Sequence, residues 1–194
     1  GRECRCPGDA CGSGPAAGFN FRRSLIVSII IRQEEPQDFE AVFGLIRQAF
    51  EGEEHSDHRE QFLVERLRNS DAFVPELSLV AETGGTLAGH ILLTKVKIGM
   101  PREEQTLNSF LVCASTPLAT SITKTYQGNG IGGRLIRAAH EKAREMGFGS
   151  VILLGHPAFY PKFGYRPLKE FGIKLPFDVP DECCMAIELT EGAL

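Results

Sequence analysis

Apolar residues recur along this chain in two periods, and the change from one period to the other outlines its elements. The run Leu25–Arg32 is dense in branched apolar residues and predicts a strand. Pro36 suits a first helical turn, and Phe39, Val42, Phe43, Ile46 and Phe50 then fall on one helical face. A polar, acidic loop from Glu51 to Asp57 leads to a second helix carrying Phe62, Leu63 and Leu67. Asp57 and Glu60 have the spacing of its capping box. Leu77–Glu82 and Leu87–Ile98 predict strands around Gly84-Gly85, a hairpin turn signal. Thr106–Thr123 is strand-like but irregular. Ile131, Leu135, Ile136, Ala139, Ala143 and Met146 make a helical stripe closed by Gly147. Val151–Leu154 predicts a short buried strand, Pro157–Phe163 a short helix, and Cys184–Leu189 a closing strand.

That order is a strand, two helices, three strands, then helix, strand, helix and further strands. It specifies a mixed α/β sheet rather than a doubly wound one. Residues 1–23 stand apart: they are rich in Gly, Pro, Ala, Arg and Cys and show no periodicity. They are expected to be a disordered or non-native leader, with residues 24–194 forming one domain.

Composition narrows the chemistry. The net charge is −4; the leader holds +2, from four arginines against Glu3 and Asp9, so the remainder carries −6. This argues against a nucleic-acid partner and suits a cationic acceptor. No apolar run approaches the ~20 residues of a bilayer crossing, so no membrane partner is expected. Three of the six cysteines lie in the first eleven residues, and their spacings match no zinc pattern, so no metal is expected. Without a secretory signal pattern, the expectation is a cytoplasmic protein with free thiols.

The most informative segment is Gln127-Gly128-Asn129-Gly130-Ile131-Gly132-Gly133-Arg134, between a strand-like run and an amphipathic helix. Glycines there let backbone approach an anion, and the helix start offers unpaired N–H groups at its positive end. A pyrophosphate fits. Gly128, Gly130 and Gly133 also satisfy the dinucleotide fingerprint, which would make the chain an NAD-dependent oxidoreductase. That reading wants an acidic residue about 20 positions on, and Val151–Leu154 instead runs into Gly155-His156-Pro157. A Walker motif fails because no Lys-Ser or Lys-Thr follows the glycines.

Gln127-x-x-Gly130-x-Gly132 has the form of the acetyl-CoA signature of the GNAT superfamily of N-acetyltransferases, and the chain resembles a bacterial branch of that family. Gly155-His156-Pro157-Ala158-Phe159-Tyr160 followed by Phe163-Gly164-Tyr165 is similar to the family's Phe-Tyr helix and Phe-Gly-aromatic step. Val179-Pro180-Asp181-Glu182 before Cys184–Leu189 resembles its closing strand. The resemblance spans residues 29–189 in element order.

It implies a GNAT-like fold: a mixed, mostly antiparallel sheet with flanking helices. It also implies acetyl-CoA as co-substrate and direct attack by the amine of a small-molecule or peptide acceptor. Backbone groups of Leu118, Ala119 and Thr120 would meet the pantetheine. The stretch Gln127, Gly128, Asn129, Gly130, Ile131, Gly132, Gly133 and Arg134 would hold the phosphates. Tyr160 matches the family's general acid, and a phenol with an ordinary pKa of about 10 can protonate a thiolate held against it. Glu54, His55 and Asp57 lie where the family's acceptor loop lies, and His156 is a second candidate base; none is assigned. A homodimer is compatible with the resemblance, and no motif specifies one.

The chain departs from the family at the fourth strand. Val112–Thr125 is polar where an apolar strand is implied, and about two residues longer than expected. This departure keeps a second function in view, a CoA-binding or regulatory module on the same fold without catalysis.

Overall fold

The computed structural model describes residues 28–52, 56–96, 109–112, 121–122, 128–175 and 179–194. Its strands are β1 (Ile29–Gln33), β2 (Phe73–Thr83), β3 (Thr86–Val96), β4 (Ser109–Val112), β5 (Ser121–Ile122), β6 (Ser150–Leu154), β7 (Arg166–Pro167) and β8 (Cys184–Glu188). The helices are α1 (Phe39–Phe50), α2 (Glu60–Arg68) and α3 (Ile131–Glu145). The leader, residues 1–23, lies outside the described residues.

The strands make one sheet in the order β1-β2-β3-β4-β6-β8-β7, with β5 paired to β3 off that path. Every pairing is antiparallel except that of β4 with β6, as the mixed, mostly antiparallel expectation has it. The hairpin β2–β3 turns on Gly84 and Gly85, both at positive φ (57° and 78°), the backbone of a two-residue turn matched to strand twist. Pro75 cannot donate to a ladder, and the register of β2 shifts between Phe73 and Ser78, around it.

Helices α1 and α3 both pack on β3 and on the two residues of β5. A short 3-10 turn, Pro36–Asp38, leads into α1. Arg32 on β1 grips it with a two-pronged bond to Asp38, at 2.6 and 2.9 Å, and this guanidinium holds the Asp38 carboxyl below its usual pKa. The buried face of α1 is Val42, Leu45, Ile46, Ala49 and Phe50, while Phe39 is partly exposed beneath the Arg68 guanidinium. One expectation fails at α2. Phe62 is 46% exposed and meets Phe43 edge-to-face, and Val64 is buried. Asp57 is no cap of that helix. Its carboxylate takes the Arg59 amide at 3.0 Å, and Glu60 reaches back to the Ser56 hydroxyl.

Beneath α2 lies a polar knot. Glu34, whose amide donates to Ser78 O at 2.8 Å, receives Arg68 through Nε at 3.2 Å and through a second guanidinium nitrogen. The Ser78 hydroxyl donates to Glu34 Oε2 at 2.6 Å and lies 3.1 Å from His90 Nε2. Glu34 and Arg68 expose 1% and 7% of their side chains. His90 is fully buried, and its Nδ1 has no partner among the described residues. Burial holds the His90 pKa down to about 4, so at neutral pH it is an uncharged neighbour of Glu34 rather than its ion-pair partner.

The Glu34–Arg68 pair is matched charge for charge, so removing one side strands the other. Arg68→Met is expected to cost about 3–5 kcal/mol in urea unfolding, because Glu34 would then be a buried charge without its counter-ion. A loss under 1 kcal/mol would mean that solvent reaches Glu34 freely.

Candidate active site

Among the described residues the sheet has no ladder between β5 and β6. Parallel pairing of β4 with β6 runs from Ser109–Ser150 to Val112–Leu153. β5 then pairs with β3 alone, at Gly89–Ile122 and His90–Ser121. The two stretches are out of step. Antiparallel pairing set by Thr94–Leu111 would bring residue 116 opposite Gly89, and Ile122 stands there, six residues later. The two pairings on β3 are therefore offset by six residues, and the segment between them, residues 113–120, on which the expected extra length falls, lies outside the described residues. Among the described residues, β5 and the end of β6 run in the same direction with no ladder between them. Such a divergence is where α/β sheets take ligands, outside the carboxyl ends of their strands.

Both sequence motifs follow the strands that flank this opening. After β5, Gly128 and Gly130 adopt φ of 82° and 75°. A Cβ at either would meet nothing within 4 Å, so the need for glycine there is conformational rather than steric. Gly130 caps α3 without a side-chain hydrogen bond, and the first intrahelical bond is from the Arg134 amide to Gly130 O at 3.2 Å. The amides of Ile131, Gly132 and Gly133 precede it and have no carbonyl within the helix to bond. The first turn carries no acidic side chain, and Lys142 and Arg144 occupy the last turn. An anion is favoured at the start of this helix by both the free amides and the dipole. Ile131 and Gly132 are buried, while Asn129 and Arg134 are exposed. Leu118, Ala119, Thr120 and Gln127 lie outside the described residues.

After β6, a 3-10 turn (Tyr160–Phe163) brings the second motif against the first. A Cβ on Gly133 would lie 3.1 Å from Phe163 Cε1, so Gly133 lets that ring sit on the helix start. Arg137 spans the same place, its guanidinium 5.6 Å from the Phe163 ring centre and 3.3 Å from Gly133 O. Tyr160 is buried, 3% exposed, with its ring laid on Gly155: a Cβ there would fall 2.2 Å from Tyr160 Cε2. Phe159 and Tyr165 meet the Tyr160 ring edge-on at 5.1 and 5.5 Å. Tyr165 is tied in turn to α3 by a 2.8 Å hydrogen bond with His140 Nε2. Burial raises the Tyr165 phenol well above its ordinary pKa and lowers His140 to about 4, so the pair is neutral.

Gly155 and Tyr165, already part of the second motif, take packing roles around Tyr160 that the amino acids alone do not show, and His140 and Arg137 were not singled out from sequence. One signal was available: His140 follows Ile136 by four residues on the buried stripe of α3. Of the candidate bases, Glu54 and His55 lie outside the described residues. Asp57 is exposed and turned to its own loop. His156 is exposed, and its Nδ1 accepts the Ala158 amide at 3.2 Å, a local turn contact. No group of three or more metal-binding side chains occurs among the described residues, and no described helix is long and apolar enough to cross a membrane.

Three comparisons agree with this geometry. A family model described as an acetyltransferase (GNAT) domain matches residues 30–168. An uncharacterized N-acetyltransferase of Escherichia coli, YjhQ, is 37% identical over 136 residues, covering 68% of this chain and 71% of its own. A second E. coli protein, YhbS, also an uncharacterized N-acetyltransferase, is 30% identical over 167 residues, 86% of this chain and 90% of its own. The crystal structure of a GNAT family acetyltransferase from Brucella melitensis with acetyl-CoA aligns at a TM-score of 0.66 and 28% identity. It covers 83% of this chain and 88% of the other. That of YhbS with CoA aligns at 0.73 and 23% identity, over 86% of this chain and 84% of the other.

Two measurements test the packing of the site. Gly155→Ala is expected to push the Tyr160 ring off its seat and cost about 1–3 kcal/mol, read as a lower Tm and a changed near-ultraviolet tyrosine spectrum. His90 and His140 are neutral when folded and gain a proton near pH 6.5 when unfolded. Between about 6.5 and 4 the unfolded chain binds more protons, so stability falls as pH falls through that window, by up to about 3 kcal/mol per histidine. Below about 4 these two groups contribute no further loss. Urea unfolding at several pH values reads the slope, and His140→Gln should flatten it.

Proposed function

The chain belongs to the GNAT family of acetyltransferases, and from that premise we propose that it moves the acetyl group of acetyl-CoA directly to the amine of a small-molecule or peptide acceptor. It is an N-acetyltransferase by family; the acceptor and the residues that act are the substance of the proposal. In this reading residues 24–194 make up the transferase domain, and the protein works in the cytoplasm.

The observation that carries the reading is the sheet opening, with a glycine-built helix start on one flank and Tyr160 on the other. The residues fit the co-substrate. The amides of Ile131, Gly132 and Gly133, and those of Gly128 to Gly130 before them, suit a pyrophosphate, with Asn129, Ile131 and Arg134 as neighbours. Gln127 joins them, and backbone groups of Leu118, Ala119 and Thr120 pair the pantetheine arm, in keeping with the family pattern. The thioester supplies an activated acetyl group. Backbone N–H of the fourth strand polarises its carbonyl, and Tyr160 holds the proton that the departing sulfur needs. Burial of Tyr160 against Gly155, Phe159 and Tyr165 fixes the ring, which favours a proton donor set in place before the reaction.

Two experiments separate this reading from its rivals. CoA and acetyl-CoA are expected to raise Tm by several degrees while NAD does not; stabilisation by NAD alone would restore the oxidoreductase reading. Thiol release from acetyl-CoA with a panel of amines then separates enzyme from inert module. Tyr160→Phe should lower kcat about 10²-fold or more with little change in CoA affinity. Unchanged turnover removes Tyr160 from the role of acid.

A further inference from the structure

Acetyl-CoA, the co-substrate of the proposed reaction, carries three phosphates, and the free amides at the start of α3 suit two of them. The third is a monoester on the ribose, separated from the pyrophosphate by that one sugar. Its second proton leaves near pH 6, so at neutral pH it holds a charge of about −1.5 to −2. A chain whose net charge is −4 repels such a ligand unless its own charges are sorted in space.

They are sorted. No Asp or Glu occurs from Gln105 to His140 or from Met146 to Lys169, the stretches that carry the glycine loop and the Tyr160 turn. The same stretches hold Lys124, Arg134, Arg137, Lys162, Arg166 and Lys169. Glu103 and Glu104 precede Ser109, which pairs with Ser150 beyond the last turn of α3. Arg166 is engaged by Glu170 and Glu188, at 3.8 and 3.4 Å. Arg134, Arg137 and Lys162 are exposed and make no ion pair among the described residues.

Geometry singles out two of these cations. The Arg137 guanidinium turns back along the helix to Gly133 O at 3.3 Å, the direction long helical side chains favour. That sets it at the first turn, beside the free amides. It is turned away from Glu141, which lies one turn further on, exposed and without an ion pair among the described residues. One of its five N–H groups meets Gly133 O, which leaves four for a ligand. The guanidinium also lies 5.6 Å from the Phe163 ring centre, and Phe163 meets Phe159 at 5.3 Å. Lys162 Nζ lies 5.7 Å from the Phe159 ring centre in turn. One aromatic pair, seated on the helix start through Gly133, thus carries a cation on each ring. Both side chains are held before any ligand arrives, which lowers the ordering cost of binding.

We propose that Arg137 and Lys162 form a subsite for the ribose 3′-phosphate of acetyl-CoA, separate from the amides that hold its pyrophosphate. The fork of Arg137 supplies paired donors to the phosphate oxygens, and Lys162 supplies a point charge. The subsite makes the chain selective for a cofactor that bears this phosphate. The inference rests on the acetyl-transfer reading, which supplies the ligand.

Calorimetric titration of the full chain with CoA and with 3′-dephospho-CoA tests it. CoA should bind about tenfold or more tightly, the effect of charge-assisted contacts, and the gap should narrow as salt is raised. Arg137→Gln combined with Lys162→Gln should weaken CoA to the level of 3′-dephospho-CoA while the latter binds as before. Both side chains are exposed, so the fold tolerates the change, and an unaltered Tm without ligand checks this. Lys142→Gln removes one charge from the last turn of the same helix, where Glu145 pairs with it at 3.2 Å, and should leave the gap intact. Equal affinities in the unsubstituted chain overturn the proposal and leave the transferase reading standing. So does a gap that survives the double substitution, an equal loss for both ligands, or a gap that Lys142→Gln also closes. Failure of both ligands to bind removes the transferase reading and the subsite together.

Discussion

The organising constraint is how the sheet's ladders are shared among the described residues. β4 pairs with β6 in parallel from Ser109–Ser150 to Val112–Leu153, and β5 pairs with β3 and not with β6. Backbone donors and acceptors are obligatory partners, so in the proposed reading the edges left without a ladder there are offered to a ligand. Both recognisable motifs hang on the strands that border this gap. The helix that follows β5 begins with free amides, and the turn that follows β6 begins with Tyr160. In the proposed reading the chemistry is placed by where the sheet divides.

What keeps the two motifs in register is aromatic packing rather than charge. Phe163 rests on Gly133, Phe159 and Tyr165 flank Tyr160, and His140 anchors Tyr165 to the middle of α3. Each contact needs a small residue or a neutral partner. Gly155 must lack a Cβ for the Tyr160 ring, and His140 must stay unprotonated to share a hydrogen bond in a buried place. The polar knot at Glu34 and Arg68 does comparable work on the other side, joining α2 to β1 and β2.

Net charge does not show which charges are free. A domain that sums to −6 suits a cationic acceptor, yet several of its carboxylates are already taken by cations. Summation over a chain cannot see which carboxylates are already taken, as Glu170 and Glu188 are by Arg166. The partner of each charge is a property of the fold.

Element order, the Gly84-Gly85 turn, the stripe of α3 and the glycine loop before it could all be read from the amino acids alone. Each is set by contacts within a few residues: side-chain period, positive φ, or a helix end. The family resemblance rested on the same local strings. The helix cap at Asp57 was misjudged, because the Asp57 carboxylate is taken by the Arg59 amide and Glu60 by the Ser56 hydroxyl. Only the tertiary structure decided that the pairings of β4 and β5 on β3 are six residues out of step, that Tyr160 lies on Gly155, and that His90 and Glu34 share one buried site. A periodic pattern specifies which way a residue faces; what it meets there is specified by strands and helices that chain order alone does not bring together.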